Sequence, residues 1–161
     1  MQPQPAFLLD DIDHTSFSDL ICAWDFTHSQ SHSELFTAQY GEHYQLRSAS
    51  GTLQVITDQA AGRHGSALHL DEGQYLSIDR HSCPLLDRHG NDSVFSMLVR
   101  CRRAQKADDT YCEFIAGQWN ESNEGGQYGL FINIKVWQVA DRLFGHLSNS
   151  GGPTSGYKFC M

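Results

Sequence analysis

No stretch of the sequence approaches the roughly 18 consecutive apolar residues of a helical membrane span. The opening Met1-Gln2-Pro3-Gln4-Pro5 lacks the basic segment and apolar run of a signal peptide. Positive charge is scarce: 11 Lys and Arg stand against 19 Asp and Glu, a net charge of -8. Nucleic-acid surfaces are normally basic, so DNA and RNA partners are disfavoured. The same deficit weighs against binding to an anionic membrane. The five cysteines, Cys22, Cys83, Cys101, Cys112 and Cys160, cannot all pair within one chain. No C-x-x-C pair exists, which removes the usual zinc and thioredoxin readings. Free buried thiols are the main expectation, with one internal disulfide as the lesser alternative. Catalytic signatures are missing too. There is no Gly-x-Ser-x-Gly elbow, no Gly-rich phosphate loop and no His-Glu-x-x-His.

Helical patterning is also lacking. No stretch of more than about 10 residues reads as a helix, and turn signals recur at short intervals, as in an all-β sandwich. The chain is organised around residues 62–78. Ala67, Leu68 and Leu70 read as one strand, and Tyr75, Leu76 and Ile78 as a second. Between them Asp71-Glu72-Gly73 has turn chemistry, because Asp bonds its own backbone and Gly tolerates positive φ. Gly62 and Gly65 flank the entry, where a side chain would obstruct a bend.

The other strands follow from alternation. Leu20, Cys22, Trp24 and Phe26 share one face of a half-buried strand. Strands are expected at 44–47 and 53–56, with Ser50-Gly51 turning between them, and at 94–101. In 111–118, Cys112, Phe114 and Ala116 are expected inward, with Tyr111, Glu113 and Ile115 outward. In 127–135, Tyr128, Leu130, Ile132 and Ile134 share the face opposite Phe131, Asn133 and Lys135. In 143–148, Leu143, Gly145 and Leu147 oppose Phe144, His146 and Ser148. Residues 1–18, with Asp10, Asp11 and Asp13, read as a tail. That acidic cluster suits calcium chemically but lacks the glycine and distal glutamate of an EF-hand loop, so a solvated segment is the simpler reading. His28 with His32, and His81, Cys83, Asp87 and His89, have no spacing that demands a metal.

Three of these stretches carry a family resemblance. The pattern G-R-x-G-x-A-L-x-L-x-x-G-x-Y-L-x-I at 62–78 resembles the second hairpin of laminin-G-like, pentraxin-like jelly rolls of the concanavalin A-like lectin/glucanase superfamily. Leu20-Ile21-Cys22-Ala23-Trp24-Asp25-Phe26 is similar to their opening strand. Val94-Phe95-Ser96-Met97-Leu98-Val99-Arg100 is similar to a later one, although Met97-Leu98 stands where the family carries tryptophan. The resemblance implies an all-β, antiparallel jelly-roll β-sandwich over residues 19–161. It also implies that the closing strands are missing after Met161. Strand edges left open in that way recruit other chains, so edge-strand self-association is expected.

The resemblance further implies a non-catalytic carbohydrate- or protein-binding module, extracellular or at the cell surface, in some members with calcium. The alternatives are a polysaccharide-acting enzyme of the same superfamily and a purely structural interaction domain. The enzyme reading suffers from the missing Glu-x-Asp-x-x-Glu strand, since glycoside hydrolysis needs paired carboxylates. Glu113 and Glu121 are the nearest candidates. A ligand face is easier to assemble. Glu113, Asn133 and His146 fall on one expected strand face, opposite the core. Trp119, Asn120 and Glu121 sit at a strand end where a loop overhangs it. The expected ligand-binding set is Trp119, Asn120, Glu121, Asn133 and His146, with Trp119 as a sugar platform. The competing role for Trp119 is a loop anchor. No catalytic or metal-ligating residue is assigned. Asn91-Asp92-Ser93 and Asn120-Glu121-Ser122 match the glycosylation acceptor pattern, which matters only in a secretory setting.

Overall fold

A computed structural model describes residues 19–26, 32–57, 66–88, 94–103, 112–119, 127–132 and 143–148. The described residues form antiparallel strands and two 3-10 turns, Arg80–Ser82 and Pro84–Leu86. None of them builds a helix long and apolar enough to cross a membrane. The all-β expectation therefore holds. The chain divides into two units, one ending at Leu86 and one starting at Asp87.

The described residues of the first unit form short strands: β1 (Cys22–Ala23), β2 (His32–Ser33), β3 (Leu35–Thr37), β4 (Tyr40–Gly41), β5 (Gln45–Ser48), β6 (Leu53–Thr57), β7 (Ser66–His69) and β8 (Leu76–Ser77). They pair as β1-β4, β2-β6-β7 and β3-β5-β8. The two three-stranded sheets share the chain in an interleaved way. Leaving β5, it crosses at Ser50-Gly51 into the sheet of β6 and β7, and it returns at 70–75 to the sheet of β8. The stretch 66–78 is therefore two strands and a turn, as expected, but not a hairpin. Val55 faces Leu68 across β6-β7, whereas Ser48 faces Leu76 across β5-β8. The turn itself follows from Asp71. Its carbonyl accepts the Gln74 N–H at 3.0 Å, and Gln74 Oε1 accepts the Asp71 N–H at 2.9 Å. Gly73 supplies the positive φ of 80° that this closure needs.

Burial in this unit follows period 2. Phe36 and Ala38 are buried while Leu35 and Thr37 face solvent, and Leu46, half-buried, stands opposite Phe36. Phe26 meets Phe36 edge-on, ring centres 5.6 Å apart. Among the described residues Leu53 is the most completely enclosed large side chain. Ser48 is buried too, and its hydroxyl accepts the Ser50 N–H at 3.2 Å, so a polar group inside the unit shapes the exit from β5. Tyr44 ties three segments together. Its carbonyl takes the Ala38 N–H at 2.9 Å and the Trp24 indole N–H at 3.1 Å. Its hydroxyl takes the Leu85 N–H at 3.3 Å. Trp24 is half-buried and hydrogen-bonded rather than enclosed.

The second unit holds β9 (Glu113–Gln118), β10 (Tyr128–Ile132) and β11 (Leu143–Leu147), ordered β11-β10-β9. Gln127 gathers its ends. The backbone N–H donates to Gln118 O and its carbonyl accepts from Ser148 N, both at 2.8 Å. The side chain accepts the Arg88 N–H at 3.0 Å and donates to Asp87. The expected strand at 94–101 alternates in exposure but enters no ladder among the described residues.

The thiols depart from expectation. Cys22 is only half-buried, and Cys112 is exposed rather than inward. Cys112 precedes β9, outside the ladder that would have turned it inward. Cys83 is the buried one, and the four described cysteines are thiols, not disulfides; Cys160 lies outside the described residues. Burial pushes the Cys22 thiol up to about 11, with the charges of Cys83 and Glu42 adding to the effect. The thiolate is the reactive form, so maleimide labelling at neutral pH should mark Cys101 and Cys112 first and Cys22 slowly. Labelling of Cys22 should accelerate as pH rises toward 11. Equal rates for Cys22 and Cys112 would contradict this packing. A second test is Leu53→Ala, which should cost about 2–5 kcal/mol in denaturant unfolding.

Candidate functional site

The three-stranded sheet of the second unit positions the candidate site. Its register places Tyr128 opposite Leu147, Gly129 opposite His146 and Phe131 opposite Phe144. On the other side Gly129 faces Gly117, Leu130 faces Ala116 and Phe131 faces Phe114. The last two pairs show a shift: β9 spends one extra residue, Ile115, between Ala116 and Phe114. This is a β-bulge, and it reverses the alternation beyond it. Ala116 shares a face with Leu130, whereas Phe114 shares a face with Phe131. The expectation of Cys112, Phe114 and Ala116 on one inward face fails for that reason.

One face of the sheet thus carries two rows. Phe114, Phe131 and Phe144 form the first, and Gly117, Gly129 and His146 the second, with Trp119 just past the end of β9. The two glycines make the arrangement possible. A Cβ on Gly129 would stand 2.7 Å from Phe131 Cε2 and 3.1 Å from Phe114 Cε2, so these rings lie over it. A Cβ on Gly117 would stand 2.3 Å from the Tyr128 carbonyl oxygen, and its φ of 142° is one that side chains rarely allow. The rings then pack on one another. Phe114 and Phe131 are 5.3 Å apart between centres. Trp119 meets Phe131 edge-on at 5.4 Å and lies tilted over His146 at 4.2 Å. Edge and offset contacts of this kind suit the charge distribution of aromatic rings.

The structure therefore brings Trp119 and His146 together, as expected, but not on an outward strand face. His146 is 6% exposed and Phe144 is buried, while Leu143 and Leu147 on the opposite face are 54% and 67% exposed. The shared faces of β10 and β11 follow the expected alternation. In β11 the buried side is the reverse of the expected one, while β10 is enclosed on both faces, with Phe131 buried on one and Tyr128 on the other, where it packs against Phe95. Phe114, at the edge of the ring cluster, stays half exposed. Trp119 keeps part of its surface accessible and packs its ring onto Phe131 and His146. Asn120, Glu121 and Asn133 lie outside the described residues, as do both Asn-x-Ser triplets and the Asp10–Asp13 cluster.

Glu113 is not on this face. It pairs with Ile132, and both of its carboxylate oxygens accept from Arg103, Nε at 3.1 Å to each and Nη2 at 2.9 Å to one. A bidentate fork of this kind fixes the carboxylate in a structural role. Among the described residues no group of three or more His, Cys, Asp or Glu side chains could hold a metal ion. Phe114 is the member that alternation alone placed elsewhere. The signal for it was the pair of glycines at 117 and 129, which invites neighbouring rings to fill the gap. Comparisons with protein-family models, curated proteins and solved structures return no match.

The site's geometry carries its own test. Gly129→Ala should force the Phe131 and Phe114 rings aside and cost about 1–3 kcal/mol by overpacking. Urea unfolding would measure it, and a neutral result would show that the rings do not lie over Gly129.

Proposed function

We propose that this chain is a non-catalytic binding module of laminin-G-like type, with glycans as its ligand class and Trp119 as the contact ring. The observation that supports this reading is the partly buried Trp119 held against Phe131 and His146 at a strand end. Sugars present C–H faces that stack on an indole, and a platform works best when it is already fixed before the ligand arrives. Asn120, Glu121 and Asn133 would supply amide and carboxylate groups to sugar hydroxyls, and calcium would join them if the family resemblance extends so far. The module would act in an extracellular or cell-surface setting. The enzyme alternative is weakened by the engagement of Glu113 with Arg103, which takes one of its two candidate carboxylates. A second reading, a domain that binds another protein through its sheet, is favoured by the exposed Leu143 and Leu147.

A glycan array read with and without calcium tests the first reading. Binding should appear and should weaken by about 1–3 kcal/mol in Trp119→Ala, by loose analogy with base–aromatic stacking. Thermal melting of the variant separates a lost contact from a lost fold. Silence across the array, or unchanged affinity in a folded variant, removes the platform role.

A further inference from the structure

Two of the described cysteines, Cys22 and Cys83, belong to the first unit, and Tyr44 ties their two segments together. Trp24, two residues after Cys22, donates its indole N–H to the Tyr44 carbonyl at 3.1 Å. Leu85, two residues after Cys83, donates its N–H to the Tyr44 hydroxyl at 3.3 Å. A single residue thus spans from the segment of one cysteine to the segment of the other. The backbone that carries Cys22 is fixed on both sides. Ile21 O accepts the Glu42 N–H at 2.7 Å, and Ala23 O accepts the Gln39 N–H at 3.0 Å. Cys22 itself stands opposite Gly41, so no side chain rises beside its thiol from the neighbouring strand. Cys83 closes the first 3-10 turn, with its N–H on Arg80 O at 3.2 Å and its Sγ donating to Asp79 O at 3.4 Å. Burial first, and next a charge on Cys83, raise the Cys22 thiol. The second effect acts only between groups that lie near each other.

We infer that Cys22 and Cys83 are a redox pair, joined in an oxidising thiol buffer by a disulfide that stabilises the first unit and parted again by reductant. With glutathione disulfide as the oxidant, one cysteine thiolate attacks a glutathione sulfur and releases one glutathione. The second cysteine thiolate then displaces the other glutathione from the mixed disulfide. One S–S bond breaks and one forms, and two protons and two electrons pass from the cysteines to the two glutathiones. The thiol contact that Cys83 gives up is a weak one, so its loss costs little. What the bond gains follows from the topology. All of β2 to β8 falls between residues 22 and 83, so the link closes one loop around those strands. Each of them is two to five residues long and marginal alone. A cross-link of such long span removes conformational freedom chiefly from the unfolded chain. Cys101 and Cys112 lie in the other unit. The inference is independent of Trp119 and of any ligand.

The test holds the native full chain in excess glutathione disulfide at about pH 8.5, near the ordinary thiol pKa, until its thiol content stops falling. Remaining thiols are then alkylated in denaturant, and peptides are mapped without reductant. The map should show Cys22 joined to Cys83 within one chain. Dithiothreitol should return both to thiols. The oxidised chain should melt roughly 10 °C above the reduced one. Cys22→Ser and Cys83→Ser, each alone, should lose the link and the gain in melting temperature together. A Cys101→Ser, Cys112→Ser double variant should keep both. Cys22 and Cys83 recovered as alkylated thiols at the end point overturn the inference. So does either one joined to another cysteine or held only by glutathione. An oxidised chain that melts no higher than the reduced one overturns the stabilising role of the bond. The map of the unmodified chain decides the pairing if a variant fails to fold.

Discussion

Gly117 and Gly129 face each other across neighbouring strands, and no side chain rises from either. The rings of Phe131 and Phe114 lie down over Gly129 in the space left above it. The bulge at Ile115 is what allows Phe114 to take part. Without the extra residue, Phe114 would project from the same face as Ala116, away from Phe131. Once the phenylalanines are down, Trp119 has a surface to meet edge-on, and His146 is enclosed beneath it. A small-residue gap, a register shift and a ring cluster are thus three parts of one arrangement. Aromatic side chains that fill the space above a sheet glycine restore contact area that the glycine forfeits.

The first unit solves a different problem. Its strands are two to five residues long, too short to be stable as separate hairpins. Interleaving provides the remedy, because each crossing commits two sheets at once. The crossing at 70–75 depends on the reciprocal bonds between Asp71 and Gln74, and the crossing after β5 on the buried Ser48 hydroxyl. Tyr44 adds ties of long sequence separation to Trp24 and Leu85. Ties of this kind close long loops, and that closure carries an entropic cost before contacts repay it.

Several strand positions were readable in the sequence and strand partners were not. Alternation located β6, β11 and the start of β10 within a residue, because period 2 is a local property of a half-buried strand, whereas the polar stretch that holds β2, β3 and β4 gave no such signal. Pairing is a global property. Residues 66–78 have the sequence of a hairpin, two strand-forming runs about a glycine turn, yet β7 and β8 join different sheets. Nothing local distinguishes a turn that folds a strand back from one that carries it across. The inward side of β11 escaped for a related reason. Leu143 and Leu147 against Phe144 and His146 sets a leucine pair against an aromatic one, and the outcome depends on what β10 and β9 place beside them. Cys112 lost its inward position because the ladder begins one residue later, at Glu113. Of the candidate site, Trp119 and His146 were legible as neighbours from strand phase. Phe114 was hidden by the bulge, which leaves no mark on the alternation read from β9 alone.

Anchor and platform are not opposed roles for Trp119. An indole loose in solvent loses conformational freedom when a ligand stacks on it, and that loss subtracts from affinity. A ring seated edge-on against Phe131 and tilted over His146 has already lost it. The packing that makes Trp119 an anchor therefore also prepares its remaining accessible surface as a rigid contact. The buried His146 imidazole supports the indole from beneath. In the glycan reading proposed above, the polar contacts to a sugar would come from Asn120, Glu121 and Asn133, and the sheet would supply shape and stiffness, a division common to binding sites carried on β scaffolds.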